Sequence, residues 1–234
     1  MQFVRNRRCR SSTAWKAIAC GLVTAIATLG CTDHPSINII KTPPAVVHQT
    51  LDENVNSVKL IDAHTHWFFH CACEFFYDVE KHSVANGTHT VTLKVTGVNV
   101  NLSLPITVCL PAQPSKGLID HENGHVRICE FIYDRAQNVA RRLSEEVIGK
   151  ELEGSGSTYD AACRQAIESA SQSLAAHYRD ETVKAAQRIS DIFDELQYRN
   201  ENGANVIDQD IQSAEEQYRK EKLKEKPSTP KIIS

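Results

Sequence analysis

Residues 118–143 read LIDHENGHVRICEFIYDRAQNVARRL. Small, apolar or ring-bearing side chains recur at intervals of three and four: Leu118, His125, Cys129, Ile132, Ala136, Ala140, Leu143 and then Val147. That spacing is the stripe of a helix with one buried face. The period is read as unbroken over 118–153, until Gly154-Ser155-Gly156-Ser157 stops it. Thr158 suits the N-cap of a second helix, whose stripe runs through Tyr159, Cys163, Ile167, Ala170, Leu174, Tyr178, Ala185, Ile189, Ile192 and Leu196. Two long helices joined by a short loop form an antiparallel hairpin. Asn200-Glu201-Asn202-Gly203 ends the second helix. A third, highly charged helical stretch at 206–222 reads as a solvated face, and the basic, proline-containing end of the chain reads as a disordered tail.

Upstream the period changes. THTVTLKV (89–95 with Thr88) alternates strictly, NVNLSLPITVCL follows it, and VKLIDAHTHWFF and CEFFYDVE are rich in aromatic and β-branched residues. Residues 57–110 therefore read as strands, with turn signals at Asn86-Gly87 and Thr96-Gly97. The expected fold class is α+β: a small antiparallel β-sheet of three to five strands packed on a long helical hairpin. Residues 32–56, with Pro43-Pro44, read as a tether holding at most one short strand near 37–40.

The N-terminus carries Arg5, Arg7, Arg8, Arg10 and Lys16 without an acid, and residues 17–30 are uncharged. A cationic start before a short apolar run is an export signal, too short for a comfortable membrane span. It ends at Thr28-Leu29-Gly30-Cys31, similar to a bacterial lipobox with Cys31 as the lipidated residue. A cleaved periplasmic or secreted protein and an uncleaved anchor are the alternatives. Export places the cysteines in an oxidising compartment, where Cys71 or Cys73 bridged to Cys109 is the expected disulfide. The net charge of -3, with no basic stripe interleaved with aromatics, argues against nucleic acid as a partner. The domain reading is thus 1–31 signal, 32–56 tether, 57–205 α+β domain, and 206–234 charged helix and tail.

HENGH at 121–125 carries the chemistry. On a helix His121 and His125 lie one turn apart on one face, so both imidazoles reach one metal ion. Zinc (Zn2+) at such a site lowers the pKa of a water, and Glu122 is placed to take its proton as it attacks a carbonyl. A third ligand must come from elsewhere. Glu145 stands twenty residues beyond His125, the spacing of thermolysin-like gluzincins, but an unbroken helix carries it about 30 Å away. A hairpin centred near Gly156 instead brings the end of the second helix back to HENGH. Asp191, Asp194 and Glu195 come within reach, and Asp194, at the stripe's edge beside Ile192-Phe193, is the first choice. His177 falls too far along the axis. The strand histidines His64, His66, His70, His82 and His89 are a less favoured source.

Thr65-His66-Trp67, Cys109, HENGH and Cys163, in that order behind an export signal, resemble a bacterial family of uncharacterised predicted secreted zinc-dependent proteases. The similarity covers about residues 57–205, and only the HExGH element in it is sharp. It implies a zincin-like fold, bound zinc and a peptide or protein substrate. The family's second helix ends in a Tyr-Asp-x-x-Thr-x-His-Gly-like segment. Here that segment reads Phe193-Asp194-Glu195-Leu196-Gln197-Tyr198-Arg199-Asn200, so Arg199 stands where a ligand histidine would, with Glu195 or Glu201 as possible substitutes. The expected function is an exported zinc peptidase with Glu122 as general base and His121, His125 and Asp194 as ligands. The alternative is a noncatalytic envelope lipoprotein with a degraded metal site, acting as a scaffold.

Overall fold

A computed structural model describes residues 36–51, 63–199 and 206–224, all within the unit Pro35–Ser234. The expected export signal, Cys31 and the expected tail beyond 224 lie outside the described residues.

The fold is α+β, and its strand region is mixed rather than antiparallel. Seven strands and three helices follow in the order β1 (Ser36–Lys41), β2 (Ala45–Thr50), β3 (His64–Trp67), β4 (His70–Ala85), β5 (Thr88–Ser103), β6 (Pro105–Leu110), α1 (Lys116–Glu145), β7 (Glu151–Gly156), α2 (Tyr159–Arg199) and α3 (Ile207–Lys224). One sheet has the order β1-β5-β4 with β7 on β5, and the other β2-β6-β3. β1 runs parallel to β5 and β2 parallel to β6, while β3, β4 and β7 pair antiparallel. Two strands thus lie in the stretch expected to be a tether. Their partners are about sixty residues downstream, a pairing no local pattern announces.

The two sheets share one strand order because their strands are continuations of each other through a corner. Thr42 N donates to Leu102 O, Ala45 N to Leu104 O and Phe68 N to Pro105 O, so pairing carries across the bend. Asn86-Gly87 makes the β4–β5 turn, with φ of 51° and 76°, the mirror-image turn that suits a hairpin. Thr96-Gly97 is no turn: Gly97 sits inside β5, where a Cβ would come within 2.8 Å of Ser36 Oγ on β1. The glycine is there to admit a neighbouring strand.

Helix α1 starts at Ser115, whose Oγ accepts from Leu118 N at 3.2 Å. Its stripe is buried as the period demands, from His125 through Cys129, Ile132, Ala136 and Ala140 to Leu143. The helix ends earlier than 153. Gly149 has φ of 77°, a left-handed conformation natural to glycine, and turns the chain into β7. Gly149 N donates to Val95 O, and Val95 N to Lys150 O. Residues 151–156 therefore form an edge strand instead of a helix end. Thr158 caps α2, accepting from Ala161 N at 3.1 Å.

The helices pack on the β-layer to form the main core, around Phe69, Val98, Val100, Leu102, Ile128, Tyr133, Tyr178, Ile189 and Phe193. A smaller cluster, Val91, Leu93, Ala162, Cys163 and Ala166, seals the start of α2. α3 is not wholly solvated: Ile211 and Ala214 are buried in the main core. The expected disulfide is absent, with Cys71, Cys73, Cys109 and Cys129 carrying free thiols. Cys109 lies on β6 in one sheet and Cys71 and Cys73 on β4 in the other.

The close approach of β7 to α2 generates a stability test. A Cβ on Gly154 would lie 2.1 Å from Ala162 O and 2.8 Å from Ala166 Cβ. Gly154→Ala is therefore expected to cost about 1–3 kcal/mol from overpacking, read as a lower midpoint in urea unfolding. An unchanged midpoint would show that α2 does not press on β7.

Candidate metal centre

HENGH occupies the second turn of α1, and Asp194 the last two turns of α2. The antiparallel crossing of these helices brings them together. His121 Nε2 lies 3.3 Å from His125 Nε2. Asp194 Oδ1 is 3.4 Å from the first and 3.0 Å from the second. Each residue offers one ligand atom, and these atoms lie within 4.8 Å of one another, so the group could hold a metal ion. It is the sole such cluster of three among the described residues.

Phe193 organises the crossing. Its ring stacks on His121 at 5.2 Å and meets His125 edge-on at 5.4 Å. Opposite it is Gly124, where a Cβ would fall 2.6 Å from the ring's Cζ. The glycine of HENGH is thus the notch that admits Phe193, and the next residue after Phe193 is Asp194. From the β-layer, Trp67 stacks near His125 at 6.4 Å. His125 is held by rings, because its Nδ1 is buried without a hydrogen-bond partner among the described residues. A histidine ligand usually gives that second nitrogen an acceptor.

Glu122 is buried, at 3% exposure. Thr65 on β3 donates to its Oε2 at 2.6 Å, a short, charge-assisted bond that ties the carboxylate to the sheet. His121 and Asp194 are more open, with side chains 28% and 51% exposed, against 10% for His125. The donor group thus opens to solvent on the Asp194 side.

The charges are mutually adjusted. Burial alone would raise the Asp194 pKa, but hydrogen bonds from His121 and His125 outweigh it and hold the carboxyl down at about 2. The bond to Asp194 raises His121 above its ordinary 6.5, with burial opposing and the charge of Glu122 assisting.

Other sequence candidates stand apart. Glu145 is in the last turn of α1. Asp191 accepts from Gln187 at 2.8 Å, and Glu195 faces Arg199 at 3.6 Å. His177 Nδ1 contacts Ser173 O at 2.8 Å. None of the strand histidines joins the donor group. Glu201 lies outside the described residues. Sequence reasoning did not single out Phe193 as the ring over Gly124, nor Thr65 as the partner of Glu122. The signal for the first was a glycine at a helix position facing a partner helix; for the second the sequence held none. The expected facing register was also too short, because β7 lengthens the connection: Arg142 reaches Glu181, and His125 reaches Asp194.

No known family model, curated protein or solved structure matches the chain.

Two outcomes follow. A divalent transition metal should raise the melting temperature, by the equivalent of about 2.7 kcal/mol at a hundred times its Kd. Asp194→Asn should shrink that shift strongly, and an equal shift in the variant would rule the carboxylate out as a ligand. In the metal-free protein the signs of the two pKa shifts set the pH response. The raised His121 contributes stability that is complete below its ordinary 6.5 and is lost as pH rises through the folded value. The depressed Asp194 contributes above its ordinary 3.8, and loses that as pH falls toward 2. Stability from the pair should therefore peak between those ordinary values, and pH-dependent unfolding of Asp194→Asn should lack the peak.

Proposed function

We propose that the protein is a zinc-dependent peptidase with a zincin-like arrangement, exported and anchored to the cell envelope through Cys31. The observation that carries the reading is the donor triangle of His121, His125 and Asp194 beside a buried glutamate on the same helical turn.

The size of the triangle supports zinc. Ligand atoms about 2.0–2.1 Å from a tetrahedral ion lie about 3.3 Å apart, whereas adjacent ligands of an octahedral ion at that bond length lie about 2.9 Å apart. Two of the three separations here, 3.3 and 3.4 Å, match the tetrahedral figure, and the third, 3.0 Å, lies nearer the octahedral one. Two imidazoles and one carboxylate are a donor set of catalytic zinc sites, which leave the fourth position open. Calcium and magnesium favour more oxygen ligands than this group offers.

Zinc bound there would lower the pKa of a water and polarise a carbonyl. The chain's own residues do the rest. Glu122, adjacent to the first ligand and anchored by Thr65, would accept the water's proton and pass it to the leaving amine. Burial keeps this base away from bulk solvent. Trp67 and Phe193 fix the imidazole planes. The exposed flank of Asp194 leaves a side from which a peptide can approach.

Glu122→Gln is the decisive variant. It removes the base and leaves all three donors, so it should bind zinc stoichiometrically. It should lose about 10²–10⁴-fold in cleavage of a quenched fluorescent peptide mixture. If the zinc-loaded natural protein cleaves nothing and the variant matches it in every respect, the chain is a metal-binding scaffold and not a peptidase.

A further inference from the structure

Cys71 and Cys73 lie on β4 and take no part in the HENGH donor group. They are two residues apart on one strand, so their side chains leave the same face. That face is covered by α2, and Cys71 is buried there. The two sulfurs are 3.8 Å apart. Cys73 is the more accessible of the two. We infer that Cys71 and Cys73 form a reversible thiol–disulfide couple, exchanging electrons with small-molecule or protein disulfides.

Geometry carries the inference. Closing the bond requires the sulfurs to approach to about 2.05 Å, and two strand residues at this spacing have Cα atoms about 6.6–6.8 Å apart. That is the upper end of the Cα range a disulfide spans, about 4.4–6.8 Å, and the Cβ atoms, about as far apart on a flat strand, must draw in to about 3.5–4.5 Å, so the bond forms only with a local pucker of β4. β4 pairs on one side only, with β5, so it can pucker at Ala72 without breaking a second ladder. A bond formed at the edge of comfortable geometry belongs to the readily reduced class.

The local field divides the labour between the two. The contact with the Cys73 thiol lowers the pKa of Cys71; burial opposes this, and the charge of Arg179 on α2 assists. The same contact, with burial, pushes Cys73 up, so it holds its proton. The Tyr178 hydroxyl, buried without a hydrogen-bond partner among the described residues, is near enough for the charge on Cys71 to act on it. Cys71 thiolate attacks one sulfur of a donor disulfide and displaces one donor thiolate. Cys73, losing its proton, then attacks Cys71 in the mixed disulfide and releases the second donor sulfur. The two cysteines lose two electrons and two protons, and the donor leaves as two thiols.

The test uses the full chain and glutathione. After equilibration at rising ratios of oxidised to reduced glutathione, the protein is acid-quenched, alkylated in denaturant and digested after lysine and arginine. The peptide 60–81 contains both cysteines and no other. It should become about 2 Da lighter and unalkylated as the ratio rises, and should revert with reduced glutathione. The Cys129 peptide, with a thiol that burial pushes up to about 12, should stay alkylated throughout. Cys73→Ser should trap one glutathione on Cys71. Two alkyl groups on peptide 60–81 at every ratio, or a crosslink from it to Cys109, would overturn the proposal.

Discussion

The ring of Phe193 lying in the notch of Gly124 is the contact on which the centre depends. Helices cross closely where one offers a side chain and the other a gap, and here the gap is a missing Cβ. The distance between the helices at this level fixes how far Asp194 can reach. A methyl group at 124 would push the ring outward and take Asp194, one residue on, away from both imidazoles. The same ring touches His121 and His125. One apolar contact therefore sets the spacing of three polar groups, which hydrogen bonds alone could not do for side chains as flexible as these.

Electrostatics gives the arrangement a reason to take up a cation. Burying charged groups is costly unless they are paired. Glu122 is buried with the neutral hydroxyl of Thr65 as its partner, and Asp194 is held ionised near two imidazoles. Without a metal, positive charge nearby comes from the proton that Asp194 helps His121 to hold. A divalent ion held there would take its place and engage both Nε2 atoms and Oδ1 together. The Nδ1 of His125 has no hydrogen-bond partner among the described residues, and the packing of Trp67 and Phe193 takes the orienting role that a hydrogen bond there would have had.

Much of this was legible in the residues, and for identifiable reasons. The stripe from His125 to Leu143 has a strong period, because one face of α1 is buried along its length. The imidazole pair follows from spacing alone. Asp194 could be singled out because an antiparallel hairpin returns the end of α2 to the start of α1, even with an approximate register. What was illegible depends on partners distant in sequence. β7 contains two glycines and a single apolar side chain, Leu152; it is a strand because β5 offers it an edge, not because its own pattern demands one. β1 and β2 are short and interrupted by Pro43-Pro44, and their parallel partners lie far downstream. Gly149 and Gly97 look alike in sequence as breakers. One reverses the chain at positive φ while the other sits in mid-strand to admit a neighbour, and only the surrounding backbone decides between the two uses. Thr65 resembles any other strand threonine until β3 is laid beside α1.

That last placement depends on the corner. The bend at Leu104 turns β2, β6 and β3 as a unit, and the hydrogen bonds from Ala45 and Phe68 across it keep the three strands in register. β3 then runs alongside the first turns of α1, where Thr65 can reach Glu122 and Trp67 can reach His125. Leu104 is itself buried at the bend, so straightening the corner would expose apolar surface as well as break the contact. The position of the buried carboxylate is in this sense a property of the sheet, although the carboxylate belongs to the helix. The hairpin supplies the three donors, and the corner supplies the restraint on the base.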